Sequence, residues 1–256
     1  MRAAVLALLL AVSCSQPSQG AASQSPSPTA VTKPSPTPRP AGPTIDALLG
    51  RCPTPAELAS VDSSLSMKFT SDPTSGTLVC TAASGSRDLT LFQVRTYQAV
   101  LMLTWIRFDA PLPWTNLTLD VWFAHAIHGI ESRSDAQYSF CCLPGGVIAI
   151  QTNNLAVLDK SLPLWESVRW LAALFIHEAR HNEGFGHTCA TGPRAGQNDN
   201  TVAELGAWGV QYYFYVWLAE HTDHGVVPKA DQAIARAEAA DMLGRFFCKP
   251  EPTPSA

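Results

Sequence analysis

The chain has 256 residues and a mass of 27.5 kDa, with 46% hydrophobic residues, only 15% charged residues and a formal net charge of −4. From position 44 onward 14 basic residues stand against 21 acidic ones, so the basic footprint of a nucleic-acid binder is missing and nucleic acid is not an expected partner. Seven tryptophans and the low charge exclude a wholly disordered chain, and the length left after the N-terminal stretch suits one domain of about 200 residues.

Residues 1–13 read as a signal peptide. Met1-Arg2 supplies a positive charge, and Ala3 to Val12 is an apolar run of ten, right for a signal-peptide core and too short for a permanent membrane span. The run closes in Leu10-Ala11-Val12-Ser13-Cys14, which resembles the lipobox of bacterial lipoproteins. That resemblance implies lipidation of Cys14, a lipid anchor in the membrane and a place on the extracytoplasmic face of a bacterial cell envelope, with plain secretion as the alternative. Residues 14–43 hold eight of the twenty prolines among Ser, Thr, Ala, Gln and Gly, and read as a disordered tether. At roughly 3.1 Å per residue it would reach up to about 90 Å. The folded domain is expected over 44–250, with 251–256 a disordered tail.

Beyond the tether, four segments read as helices. Arg87 to Asp109 is apolar and stopped by Pro111. Leu164 to Asn182 follows Pro163 and stops near Gly184. Thr201 to Glu220 is rich in aromatic and aliphatic residues, and Lys229 to Phe247 is rich in helix formers. Leu117 to Glu131 fits either strand or helix. Tyr138 to Cys142 and Val147 to Thr152 flank Leu143-Pro144-Gly145-Gly146, the pattern of a hairpin.

Six cysteines remain once Cys14 is set aside: Cys52, Cys80, Cys141, Cys142, Cys189 and Cys248. An even set in an exported domain predicts up to three disulfides. Cys52 with Cys80 is the most local pairing. Adjacent Cys141 and Cys142 are expected to bond to separate partners, with Cys189 and Cys248 as the candidates. No Cys-x-x-Cys spacing supports a cysteine zinc site.

The chemistry concentrates in His177-Glu178-Ala179-Arg180-His181-Asn182-Glu183-Gly184-Phe185-Gly186-His187. On a helix, residues four apart lie on one face, so His177 and His181 can aim both imidazoles at one metal ion. Glu178, one residue on from the first, is placed to take a proton from water as general base without being a ligand. The extended pattern resembles that of the metzincin zinc peptidases. The resemblance implies one Zn²⁺ per chain held by His177, His181 and His187, a turn off the helix at Gly184, hydrolysis of a peptide or protein substrate, and a zincin-like α+β fold. That fold would be mostly helical, with a small antiparallel sheet beside the metal-bearing helix. Metzincins also carry a methionine turn beneath the metal. The only later methionine, Met242, sits in a predicted helix, so the floor of the site is expected to differ.

Glu204 is the alternative third ligand. A glutamate on a following helix serves that way in the gluzincins, which Glu204 to Ala207 resembles; otherwise Glu204 is a first-turn helix acid or a group orienting a ligand histidine. Arg180 reads as an exposed arginine, or as one that pairs with a carboxylate or stabilises an oxyanion, and Tyr138, Tyr212 and Tyr213 as candidate donors to a tetrahedral intermediate. The aromatics of 208–217 read as core, and the resemblance to zinc peptidases implies that Val147 to Thr152 is an edge strand that receives substrate. Two other classes stay open: a zinc hydrolase of a non-peptide amide in the cell envelope, and a non-catalytic, disulfide-stabilised envelope lipoprotein.

Overall fold

The computed structural model describes residues 44–152, 164–222 and 226–249. The signal peptide, Cys14, the tether and the tail at 251–256 lie outside the described residues. The fold is α+β and mostly helical.

Two short helices open it, α1 (Ile45–Leu49) and α2 (Pro55–Ser64). α2 starts where the sequence offers a complete N-terminal signal. The Thr54 hydroxyl accepts from the Glu57 amide, the Glu57 carboxylate accepts from the Thr54 amide, and Pro55 takes the first turn, where its missing N–H costs nothing. Helix α3 (Leu91–Trp105) is capped the same way by Thr90 and Gln93, so it begins four residues later than its apolar pattern alone suggests. The ambiguous Leu117–Glu131 segment is both things in turn, helix α4 (Leu119–Ala126) and then strand β4 (Gly129–Arg133).

The main sheet has the order β1-β4-β6-β5, with β1 at Ser66–Phe69, β5 at Phe140–Leu143 and β6 at Val147–Gln151. The predicted hairpin is present as the antiparallel β5–β6 pair, but β1–β4 and β4–β6 are parallel. The chain leaves β4, skips one position to lay down β5, and returns through the Pro144-Gly145 turn so that β6 fills the gap. β6 is therefore interior and buried at Ile148 to Gln151, and β5 is the edge. This corrects the assignment of Val147–Thr152 as an edge strand. A separate antiparallel ribbon pairs β2 (Leu78–Cys80) with β3 (Leu89–Thr90).

Helix α5 (Leu164–Asn182) runs through the centre, with the bounds that the sequence predicts. It packs against α3, α4, β5 and β6, and on its other side against α6 (Ala207–Glu220), which in turn packs on α7 (Lys229–Arg245). Val168, Leu171, Ala172, Ala173, Phe175, Ile176 and Ala179 are all fully buried, so this helix is held by apolar contact on nearly every side. Among the described residues no helix is long and apolar enough to cross a membrane.

Three disulfides are present: Cys52–Cys80, Cys141–Cys142 and Cys189–Cys248. The first is the predicted local pair. The other two correct the expectation that Cys141 and Cys142 reach out to Cys189 and Cys248. Those two are already brought together by the backbone: the Cys189 amide bonds the Asn198 carbonyl, the Cys248 amide bonds the Asp199 carbonyl, and Asp199 bridges Phe247 as a short parallel ladder. The adjacent pair sits at an irregularity in β5, where the register with β6 shifts between Phe140 and Leu143. Three disulfides indicate an oxidising, extracytoplasmic setting.

The α2 cap carries the first prediction. A bidentate bond from Arg51, at 2.7 and 2.6 Å, together with bonds from Thr54, holds the Glu57 carboxyl down at about 2 against an opposing effect of burial. A carboxyl depressed in the folded state stabilises fully above its unfolded value and loses that contribution as pH falls toward the folded one. Glu57→Gln is expected to cost about 1 kcal/mol at pH 7, allowing for solvent screening of the exposed pair, and nothing at pH 2. Urea denaturation at the two pH values measures the difference.

Candidate metal centre

The last two turns of α5 carry His177, Glu178 and His181 into a cleft of about 1520 Å³. Nε2 of His177 and Nε2 of His181 lie 3.2 Å apart. Two zinc–nitrogen bonds at a tetrahedral angle would place the nitrogens about 3.3 Å apart, so the pair fits one ion. The helix then ends: the Gly184 amide bonds the His181 carbonyl, and Gly184 takes φ +92°, which a side chain would resist. That turn brings His187 back. The three histidines together offer ligand atoms all within 4.8 Å of one another, a group that can hold a metal ion.

The rings are oriented from behind. Nδ1 of His181 donates to the Phe185 carbonyl at 2.7 Å. Nδ1 of His187 donates to Asp199 Oδ1 at 3.0 Å. Each bond holds its ring from the Nδ1 side and leaves Nε2 as the atom available for a metal ion. Nδ1 of His177 is buried with no such bond, and Gln211 faces the ring from α6. Burial, reinforced by the other two rings, pushes His177 well below the ordinary histidine value, and burial pushes His181 down as well. Both rings are held in the neutral form that metal binding needs.

Asp199 is the residue that sequence reading missed. Its carboxylate is fully buried, and besides His187 it accepts from the amides of Trp208 and Gly209 at 2.9 and 3.2 Å. It therefore caps α6 from a distance, in a helix whose own N-cap, Gly206, offers no side chain. A Cβ on Gly206 would lie 2.5 Å from Asp199 Oδ2, so glycine is required for the carboxylate to reach in. The only hint in the sequence is an acid in a turn-rich stretch, Gln197-Asn198-Asp199-Asn200.

Glu204 lies outside the three-histidine group. It belongs to a 3₁₀ turn at Val202–Glu204, Leu205 follows in the left-handed region, and α6 starts only at Ala207; its carboxylate accepts from the Thr188 hydroxyl. The Glu204 side chain thus ties down the residue next to His187. Arg180 is neither exposed nor aimed at the site. Its Nε donates to the Leu205 carbonyl, its Nη1 pairs with Glu183 at 2.7 Å, and its guanidinium lies 3.3 Å from the centre of the Phe185 ring, bracing the turn after the helix. Met242 is buried in α7 and lines the cleft. Of the three tyrosines, Tyr138 lines the cleft, as do two members of the 208–217 segment assigned to core, Trp208 and Tyr215.

Glu178 is 3% exposed. The amide of Cys141, in edge strand β5, bonds its carboxylate, while Oε2 has no partner. Burial pushes the carboxyl up to about 8, with the Cys141 amide opposing only in part. A buried carboxyl with an orphaned oxygen, beside three histidines in the cleft, is the profile of a functional group rather than a structural one.

The chain matches no family model, no curated protein and no solved structure.

Two predictions follow from the geometry. Asp199→Ala removes both the partner of His187 and the cap of α6. Metal affinity should fall about 10–100-fold and stability by about 1–3 kcal/mol, read by chelator competition and chemical denaturation. For Glu178, a carboxyl raised in the folded state means that the metal-free fold holds a proton the unfolded chain releases, so stability declines as pH rises from about 4.5 to about 8. Metal-free Glu178→Gln should lose that decline and be more stable than wild type at pH 8, as measured by melting across pH.

Proposed function

We propose that this chain is a zinc-dependent peptidase acting outside the cytoplasm, with Glu178 as its general base. The observation that carries the reading is the unpartnered Oε2 of a buried Glu178, next to His177 in a group of three histidines oriented for one metal ion. Three histidine nitrogen donors that leave a side open to a cleft suit a catalytic zinc better than a structural one, which would be closed by a fourth ligand. When bound, zinc supplies a Lewis acid that acidifies water and polarises a carbonyl.

The chain's own residues do the rest. A dication beside Glu178 favours its ionised form, offsetting the effect of burial. The carboxylate then accepts a proton at Oε2 from the attacking water and passes it to the departing amine nitrogen. The amide of Cys141 holds the carboxylate from the other side and fixes its aim. Ser139, Phe140 and Cys141 line the cleft along the free edge of β5, where an extended peptide backbone can add as a further strand. The cleft exceeds the size usual for small-molecule sites, which favours a polymer substrate of several residues over a small amide. The tether and a lipid at Cys14 would hold this domain at the membrane surface.

The test is a pair of variants of the oxidised protein. Wild type should carry about one zinc per chain and His181→Ala none. Glu178→Gln should keep the zinc and lose at least about 100-fold in turnover of a mixed peptide library. Undiminished hydrolysis by Glu178→Gln would sink the proposal.

A further inference from the structure

We infer that Trp208, stacked on Phe246, is the floor of the metal centre, a positioning residue that sets the ring plane of His177 by contact. The inference rests on the metal-centre reading above and extends it to residues outside the histidine motif.

Three observations converge. The Trp208 ring lies 4.1 Å from the His177 ring, edge to face, and 5.8 Å from the His187 ring, nearly parallel to it at 16°. The same indole stacks on Phe246 at 3.9 Å and 15°. The indole is also fixed at two points, since its backbone amide donates to Asp199 Oδ2 at 2.9 Å and its Nε1 donates to the Gln197 carbonyl at 2.8 Å. It is therefore a rigid plate held by main chain and by Asp199.

The need for a plate follows from the hydrogen bonds. His181 and His187 are each held through Nδ1, by the Phe185 carbonyl and by Asp199. His177 is the ring whose Nδ1 has no hydrogen-bond partner, and it is the ring that Trp208 packs against most closely. A ring not tied through Nδ1 to a carbonyl or carboxylate, with only the Gln211 side chain beside it on α6, depends on packing to hold its plane. Aromatic edge-to-face contact at this distance supplies that restraint. Phe246 supports the plate at the C-terminal end of α7, so the two helices packed after the motif, α6 and α7, both reach the metal centre through one stack.

The experiment uses the full-length oxidised protein with zinc and cobalt(II) alone as probes. Zinc affinity is measured by chelator competition, ligand geometry by the visible spectrum of the cobalt form, and folding by circular dichroism. Trp208→Leu should fold, bind zinc about 10–100-fold more weakly and shift the cobalt bands. Trp208→Phe, which keeps a flat ring, should restore most of the affinity and the spectrum. Phe246→Leu, which removes the support without touching a histidine, should shift the cobalt bands in the same direction by a smaller amount. Wild-type affinity and an unchanged spectrum in a folded Trp208→Leu overturn the floor while leaving the metal centre standing. Should Trp208→Leu not fold, Phe246→Leu decides alone, and an unchanged spectrum there overturns the inference. A wild-type protein that takes up neither metal removes the metal centre itself, and the floor with it.

Discussion

One fully buried carboxylate, that of Asp199, holds the functional half of this molecule together. One oxygen bonds the His187 ring, and the other takes two amides at the start of α6. An isolated buried charge would cost several kcal/mol, so it persists only because three donors converge on it. Those donors belong to different parts of the chain: the loop after the histidine motif and the helix that forms the wall of the cleft. The same residue's backbone bridges Phe247, which draws in the C-terminal end of α7. Metal centre, α6 and α7 are thereby registered to one another through a single side chain and its peptide group.

The other half of the site depends on burial. Arg169, His177, Glu178 and Arg180 all lie on α5 and all are at least nine-tenths buried. Two of them are neutralised by ion pairs, Arg169 with Glu238 and Arg180 with Glu183. The other two are not, and both are shifted toward their uncharged forms. The apolar surroundings of α5 thus stabilise the helix and at the same time keep His177 and Glu178 out of the ionisation states they would have in water. A metal ion is the partner that would reconcile the pair, since neutral imidazole and ionised carboxylate are both favoured beside a dication.

Much of this was legible in the sequence where the signal is local. The bounds of α5, the shared face of His177 and His181 and the β5–β6 hairpin follow from local pattern, while the turn at Gly184 and the approach of His187 are what the resemblance of the motif implies. What escaped is tertiary. Asp199 reads as one more turn residue, because its partners lie 12 residues before it and 9 and 10 after it, on elements whose approach no periodicity encodes. Trp208 reads as core because aromatic residues in an apolar helix usually are. The parallel pairing of β1 with β4 joins two short strands 59 residues apart at their closest, and β1 is half exposed, so its pattern names no partner. Cys141 and Cys142 defeated a sound general expectation, since adjacent cysteines ordinarily look outward for partners while here Cys189 and Cys248 are already zipped together by backbone bonds.

The clasp at Cys189–Cys248 also fixes an order of events. A chain is made and exported from its N-terminal end, and the helix bearing the first two histidines is complete well before residue 248 appears. The loop carrying the third histidine is held by Asp199 and Glu204, and then clasped by partners that come last, the bridge at Phe247 and the disulfide spanning 59 residues. That last clasp therefore closes only when nearly the whole chain is made, and its disulfide only in an oxidising compartment. In a reducing compartment the disulfide would stay open, leaving that loop to Asp199, Glu204 and the Phe247 bridge.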